Sequence, residues 1–212
     1  MEQSRLSDVQ AGVRVEVMTV GWMVIEMAVS IAAGIAAGSV LLIAFGIDSL
    51  IELVSGGMLL WRLMVEAHGG QPQKVERAEH LSKWVVSVSL ALLSVYVLAS
   101  ALYGLISGTR PDTSIAGIAV SAAALVLMPY LARLKLRIAT RIGSDALSGD
   151  AVNSITCAYM AATVLLGLAL NGLFGWWWAD DLAALLFLFW LVREMLESFR
   201  EARQNHAQGI TE

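Results

Sequence analysis

Ala44-Phe45-Gly46-Ile47-Asp48-Ser49-Leu50-Ile51-Glu52-Leu53-Val54-Ser55 is the stretch on which the fold turns. It lies inside an apolar run from about Ser39 to Leu63, long enough to cross a bilayer as a helix. In a helix, Asp48 and Glu52 stand one turn apart on the same face, well inside that run. Ionised groups at such depth are costly and usually functional. What cancels their charge is therefore the first thing to look for in the rest of the chain.

The 212 residues are 58% hydrophobic and 15% charged, with a mean hydropathy of +0.70. That is too apolar for an ordinary soluble domain, and too short for a membrane bundle with a second folded domain. A net charge of −4 gives no reason to expect a nucleic-acid partner. The single cysteine, Cys157, excludes an internal disulfide. Met1 to Gln10 is polar and mixed in charge, and the first apolar run is of spanning length, so no cleavable signal peptide is expected.

The apolar pattern predicts an all-α membrane protein, a six-transmembrane-helix bundle. Its spans are expected at about 15–36, 39–63, 84–106, 114–134, 146–172 and 180–199, between polar tails at 1–13 and 200–212. Gly34-Ile-Ala-Ala-Gly38 is a small-xxx-small pattern that would let a neighbouring helix approach. Pro129 should kink the fourth span. The basic segment Arg133 to Arg141 is expected at the membrane surface, where it could meet anionic headgroups. Trp176, Trp177 and Trp178 form an interfacial belt. Of the 14 Lys and Arg residues, every one but Arg110 falls on one side of this layout, which puts both termini in the cytoplasm. His68 and His80 lie in the connection 65–82, as solvated loop residues or as groups that first capture a metal.

In this layout each Lys and Arg sits at or beyond a span end, whereas Glu26, Asp48, Glu52 and Asp150 do not. Each of these acids must be neutral, face water, or share a bound cation. Asp150, Asn153 and Cys157 follow at i, i+3 and i+7, on one face of the fifth span. Glu52 is about ten residues inward from Arg62 and Asn153 about ten from Gly143, so their depths agree to within about a turn. Two helices offering donors at one level is how bundles build metal sites. Oxygen from Asp48, Glu52 and Asn153, with sulfur from Cys157, suits a small divalent transition metal. The plainer reading makes the acids neutral packing groups and Cys157 a small buried apolar residue. Spacing alone leaves both open. A membrane-embedded hydrolase fits worse: the strongest acid pair is on one helix, with no nucleophile or oxyanion device in view, so no enzyme is expected.

Gly38-Ser-Val-Leu-Leu-Ile-Ala-Phe-Gly-Ile-Asp48-Ser-Leu-Ile-Glu52 resembles the start of the cation diffusion facilitator family. Asp145-Ala-Leu-Ser-Gly-Asp150-Ala-Val-Asn153-Ser-Ile-Thr-Cys157 and Gly175-Trp-Trp-Trp-Ala-Asp180-Asp181 resemble its later segments, and the similarity runs from Arg14 to Glu197 in the family's six-span order. The resemblance implies a divalent metal cation transporter, exporting Zn2+ or a similar metal in exchange for protons. It implies no prosthetic group, a homodimer, and the bacterial inner membrane. The family's usual motifs are Asp-xxx-Asp in the second span and His-xxx-Asp in the fifth. Here Glu52 replaces the second Asp, Asn153 the His and Cys157 the last Asp. The implied metal ligands are thus Asp48, Glu52, Asn153 and Cys157, with Glu26 and Asp150 in supporting or proton-coupling positions. Fe2+, Mn2+, Co2+ and Cd2+ stand behind Zn2+. Only about a dozen residues follow the last span, so the chain resembles a divergent branch without the family's cytoplasmic domain. These departures also leave room for a non-transporting membrane metal-binding or assembly protein on the same fold.

Overall fold

The computed structural model describes residues 2–67, 73–108 and 111–208. His68 and Arg110 lie outside them, as does the side chain of His80. The described residues form helices α1 (Glu2–Ala37), α2 (Val40–Ala67), α3 (Gln73–Ser107), α4 (Ile115–Ile142), α5 (Asp145–Phe174) and α6 (Trp178–Gln208), with no strand among them. The all-α, six-helix expectation is met. α3 already begins at Gln73, so the polar connection before it is shorter than the sequence suggests. Five helices are long and apolar enough to span a bilayer. α6 is long enough but carries Asp180, Asp181, Arg193, Glu194 and Glu197 around its apolar stretch, and it runs beside α3 and α5 within the bundle. α4 runs unbroken from Ile115 to Ile142 with Pro129 inside it.

The outward faces are apolar: Ile106, Ile115 and Leu173 are largely exposed, as lipid-facing side chains should be. The polar groups turn inward. Glu16, Glu26, Asp48, Glu52, Lys135 and Asp180 are all buried.

α1 and α2 form a tight antiparallel pair. A Cβ on Gly34 would lie 2.7 Å from Ile43 Cγ1, and one on Gly46 would lie 2.7 Å from Ile31 Cγ1 and 2.9 Å from its backbone nitrogen. Gly34 therefore permits close approach as its pattern suggests, but its counterpart is Gly46. Gly38 instead makes the turn between the helices, with φ +65. Ser39 then caps α2, its Oγ accepting from Leu42 N at 3.2 Å. Ser39 Oγ also donates to Asp180 Oδ1 at 2.7 Å, so the start of α6 is anchored to the start of α2.

At the other end of the bundle the expected surface segment 133–141 is part of α4, and Lys135 within it is fully buried. Its Nζ lies 3.1 Å from Glu16 Oε2 on α1, bonds directly to Asp150 Oδ2 on α5, and donates to Ser154 Oγ at 3.3 Å. This corrects the expectation that Asp150 lacks a counter-charge. The fourth helix continues about two turns beyond its apolar run, and it carries a lysine with it. The ion triad joins three helices at one level.

Removing one partner from such a buried triad leaves its neighbours unpaired. Lys135→Met should cost about 3–5 kcal/mol of stability, measured as a lowered melting temperature of the detergent-solubilised protein. Adding Glu16→Gln and Asp150→Asn should recover most of the loss. Unchanged melting of Lys135→Met would show that the triad does not hold the three helices together.

Candidate metal centre

α2 carries Asp48 and Glu52 into the bundle interior because its other face is a lipid-compatible row that includes Leu50 and Val54. Asp48 is 1% and Glu52 3% exposed. None of their four carboxylate oxygens has a hydrogen-bond partner among the described residues. The pair is where the apolar run places it, and the groups acting electrostatically on it are carboxylates.

Glu26 on α1 is in the opposite condition. Trp22 Nε1 donates to its Oε2 at 2.6 Å, and Ser49 Oγ to its Oε1 at 2.7 Å. Cys157 Sγ on α5 reaches the same Oε1 at 3.4 Å. Glu26 is thus a satisfied carboxylate that ties α1, α2 and α5 together one helix face away from the pair.

The fifth-helix residues match the expected depth. Asp150 meets Lys135 and Glu16 at the level where Glu16 Oε1 packs against Gly56, and Cys157 meets Glu26 at the level of Ser49. Asn153 lies between those levels, so it is abreast of Glu52. It is half-buried, however, and the groups acting electrostatically on Glu52 are Asp48, Glu194, Glu26 and Asp150. The described residues contain no group of three or more His, Cys, Asp or Glu set closely enough to hold a metal ion. The structure therefore brings Cys157 and Glu26 together and leaves Asp48 and Glu52 unpartnered, without closing the four-ligand set Asp48, Glu52, Asn153 and Cys157.

Two residues were not anticipated at this centre. Glu194 of α6 acts on both Asp48 and Glu52, and its Oε2 is buried without a hydrogen-bond partner. Glu16 completes the ion triad just below Glu52. Both lie inside the expected spans 15–36 and 180–199, so the signal was available: each is a carboxylate enclosed by the boundaries themselves. Each stands close to a span end, Glu194 beside Arg193, where a carboxylate also has a plain interfacial explanation.

A family model described as the cation efflux transmembrane domain matches residues 18–205. The chain is 27% identical over 202 residues to an uncharacterized transporter of Synechocystis sp., covering 91% of this chain and 65% of that protein. It is 29% identical over 111 residues to the cation-efflux pump FieF of Shewanella oneidensis, covering 49% of this chain and 37% of the pump. It spans less than two thirds of the length of either relative. With the match running from the first helix through the sixth and enclosing the buried acid pair, this chain belongs to the cation efflux family, that of the cation diffusion facilitators, and carries its transmembrane domain.

Proposed function

We propose that the protein carries a divalent transition-metal cation out of the cytoplasm, with Asp48 and Glu52 as the groups that bind it and protons moving the other way. The single observation behind this reading is the pair of fully buried carboxylates whose oxygens find no donor among the described residues. Two negative charges in a low-dielectric interior need either a cation or protons. A divalent ion and protons are alternative occupants of one site, because carboxylates bind a metal only when deprotonated. If the emptied, protonated site opens to the opposite side, the exchange of metal for protons follows.

Zn2+ is the ion that family resemblance puts first; Fe2+, Mn2+, Co2+ and Cd2+ carry the same charge. Asn153 and Cys157 stand at the right depth to add donors, but Cys157 is bonded to Glu26 and would need to release it. Glu26 supports the centre by holding α1, α2 and α5 in register. The basic-residue distribution supports cytoplasmic termini, the bacterial relatives support an inner-membrane location, and the family resemblance implies a homodimer. A second reading, a membrane metal-binding or assembly protein that does not transport, draws on the open geometry of the ligand set.

Proteoliposomes loaded with a metal-sensitive dye separate these readings. The unaltered chain should give a dye response to external metal without added ionophore, and Asp48→Asn or Glu52→Gln should reduce the initial rate about a hundredfold. Binding without any dye response would favour the non-transporting reading. Full rates in both variants would remove the acid pair from the mechanism.

A further inference from the structure

We propose that this conformation is shut at the end of the bundle where both chain termini lie, and that Lys135, held between Glu16 and Asp150, is the latch that must part before an ion from that end reaches Asp48 and Glu52. This rests on the transporter reading above and adds to it which side is closed and which residues close it.

Two contacts fix the ends of the bundle. Asp180 at the start of α6 accepts from Ser39 Oγ, beside the start of α2, at 2.7 Å. Asp112, just before α4, donates its backbone N–H to Ala37 O at the end of α1 at 2.8 Å. α2, α4 and α6 therefore start at one end of the bundle, and α1 begins and α6 finishes at the other. From that terminal end α1 and α5 run inward, while α2 and α4 run out toward it.

Two layers built from α1, α2, α4 and α5 lie between that end and the acid pair. The outer layer is apolar. A Cβ on Gly12 of α1 would lie 3.6 Å from Ile138 of α4, 3.7 Å from Leu147 of α5 and 3.8 Å from Leu63 of α2, and all three side chains are buried. The inner layer is charged and stands one turn further in. Glu16 is four residues beyond Gly12, Lys135 three before Ile138, and Asp150 three beyond Leu147. Lys135 Nζ lies 3.1 Å from Glu16 Oε2 and donates to Asp150 Oδ2. Glu16 Oε1 would lie 3.1 Å from a Cβ on Gly56, so this layer reaches α2 as well. Glu52 is one turn beyond Gly56 on the same face. A cation coming from the terminal end thus meets an apolar constriction, then an ammonium holding both of the acids it could use, and only then the pair. Apolar constrictions and fixed positive charges are the two means by which membrane passages are shut to cations. Alternating access moves one group of helices against another around a fixed site. Lys135 joins α4 to α1 and to α5, so movement that opens this side must break its ion pairs.

Cys157 is a ready reporter. It is the chain's single cysteine, fully buried, and seven residues beyond Asp150 on α5, behind both layers. The test labels it in the full chain with a membrane-impermeant, positively charged methanethiosulfonate, without added metal, in vesicles of either orientation. Labelling of the unaltered chain from the terminal side should be slow. Lys135→Met should speed it about tenfold from that side and leave the rate from the opposite side unchanged. A fold that was merely loosened would be labelled faster from both. Gly12→Ala adds a methyl at ordinary contact distance from the three apolar side chains. It should slow both the labelling from the terminal side and the metal-driven dye response roughly threefold, with no fall in melting temperature, and it decides the matter should Lys135→Met fail to fold. Fast labelling of the unaltered chain from the terminal side, no increase or equal increases on the two sides in Lys135→Met, or unchanged rates in Gly12→Ala would overturn the proposal. The transporter reading stands or falls separately, on the dye responses of Asp48→Asn and Glu52→Gln.

Discussion

Two carboxylates at membrane depth with no hydrogen-bond donor among the described residues are the constraint that organises this bundle. Several other buried charges among the described residues are met internally. Glu26 has an indole, a hydroxyl and a thiol; Glu16 and Asp150 share Lys135; Asp180 takes the serine and backbone nitrogens at the start of α2. Asp48 and Glu52 alone on α2 are left with bare oxygens. Each unsatisfied polar group in such an environment costs several kilocalories per mole unless something arrives to match it. A site that is expensive when empty and ionised is suited to exchanging one positive occupant for another.

The surrounding packing keeps that site in place. The Gly34 and Gly46 contacts hold α1 hard against α2, so the acid-bearing helix cannot drift outward without opening a close backbone contact. Asp180 sets the depth of α6 relative to α2, and the Lys135 triad sets α1, α4 and α5 relative to one another. These fastenings lie above and below the acid pair, not on it. The interior charges therefore divide into those that fasten helices and those that remain open to an ion.

Asp48 and Glu52 were legible in the sequence because two acids inside a 25-residue apolar run have no soluble explanation. The depth of Asp150, Asn153 and Cys157 was legible too, since helical rise depends only on residue count. What could not be read was the azimuth of each side chain and the true end of α4. Lys135 follows the apolar run directly, so it looks like an interfacial residue until the helix is seen to carry it inward between two acids. Glu194 was masked by Arg193 for a similar reason, because adjacent residues on a helix point about 100° apart and only one faces the core. Gly38 read as a packing glycine and is a turn glycine, a distinction that rests on its positive φ.

The central claim is that the acid pair exchanges a metal ion for protons at a single site. Calorimetric titration of the full chain with Mn2+, repeated in two buffers of different ionisation enthalpy, counts the protons released for each ion bound. The account predicts release of about one to two protons per ion near neutral pH, lost when Asp48→Asn and Glu52→Gln are combined. Metal binding with no proton release, or release that survives in that double variant, would contradict it.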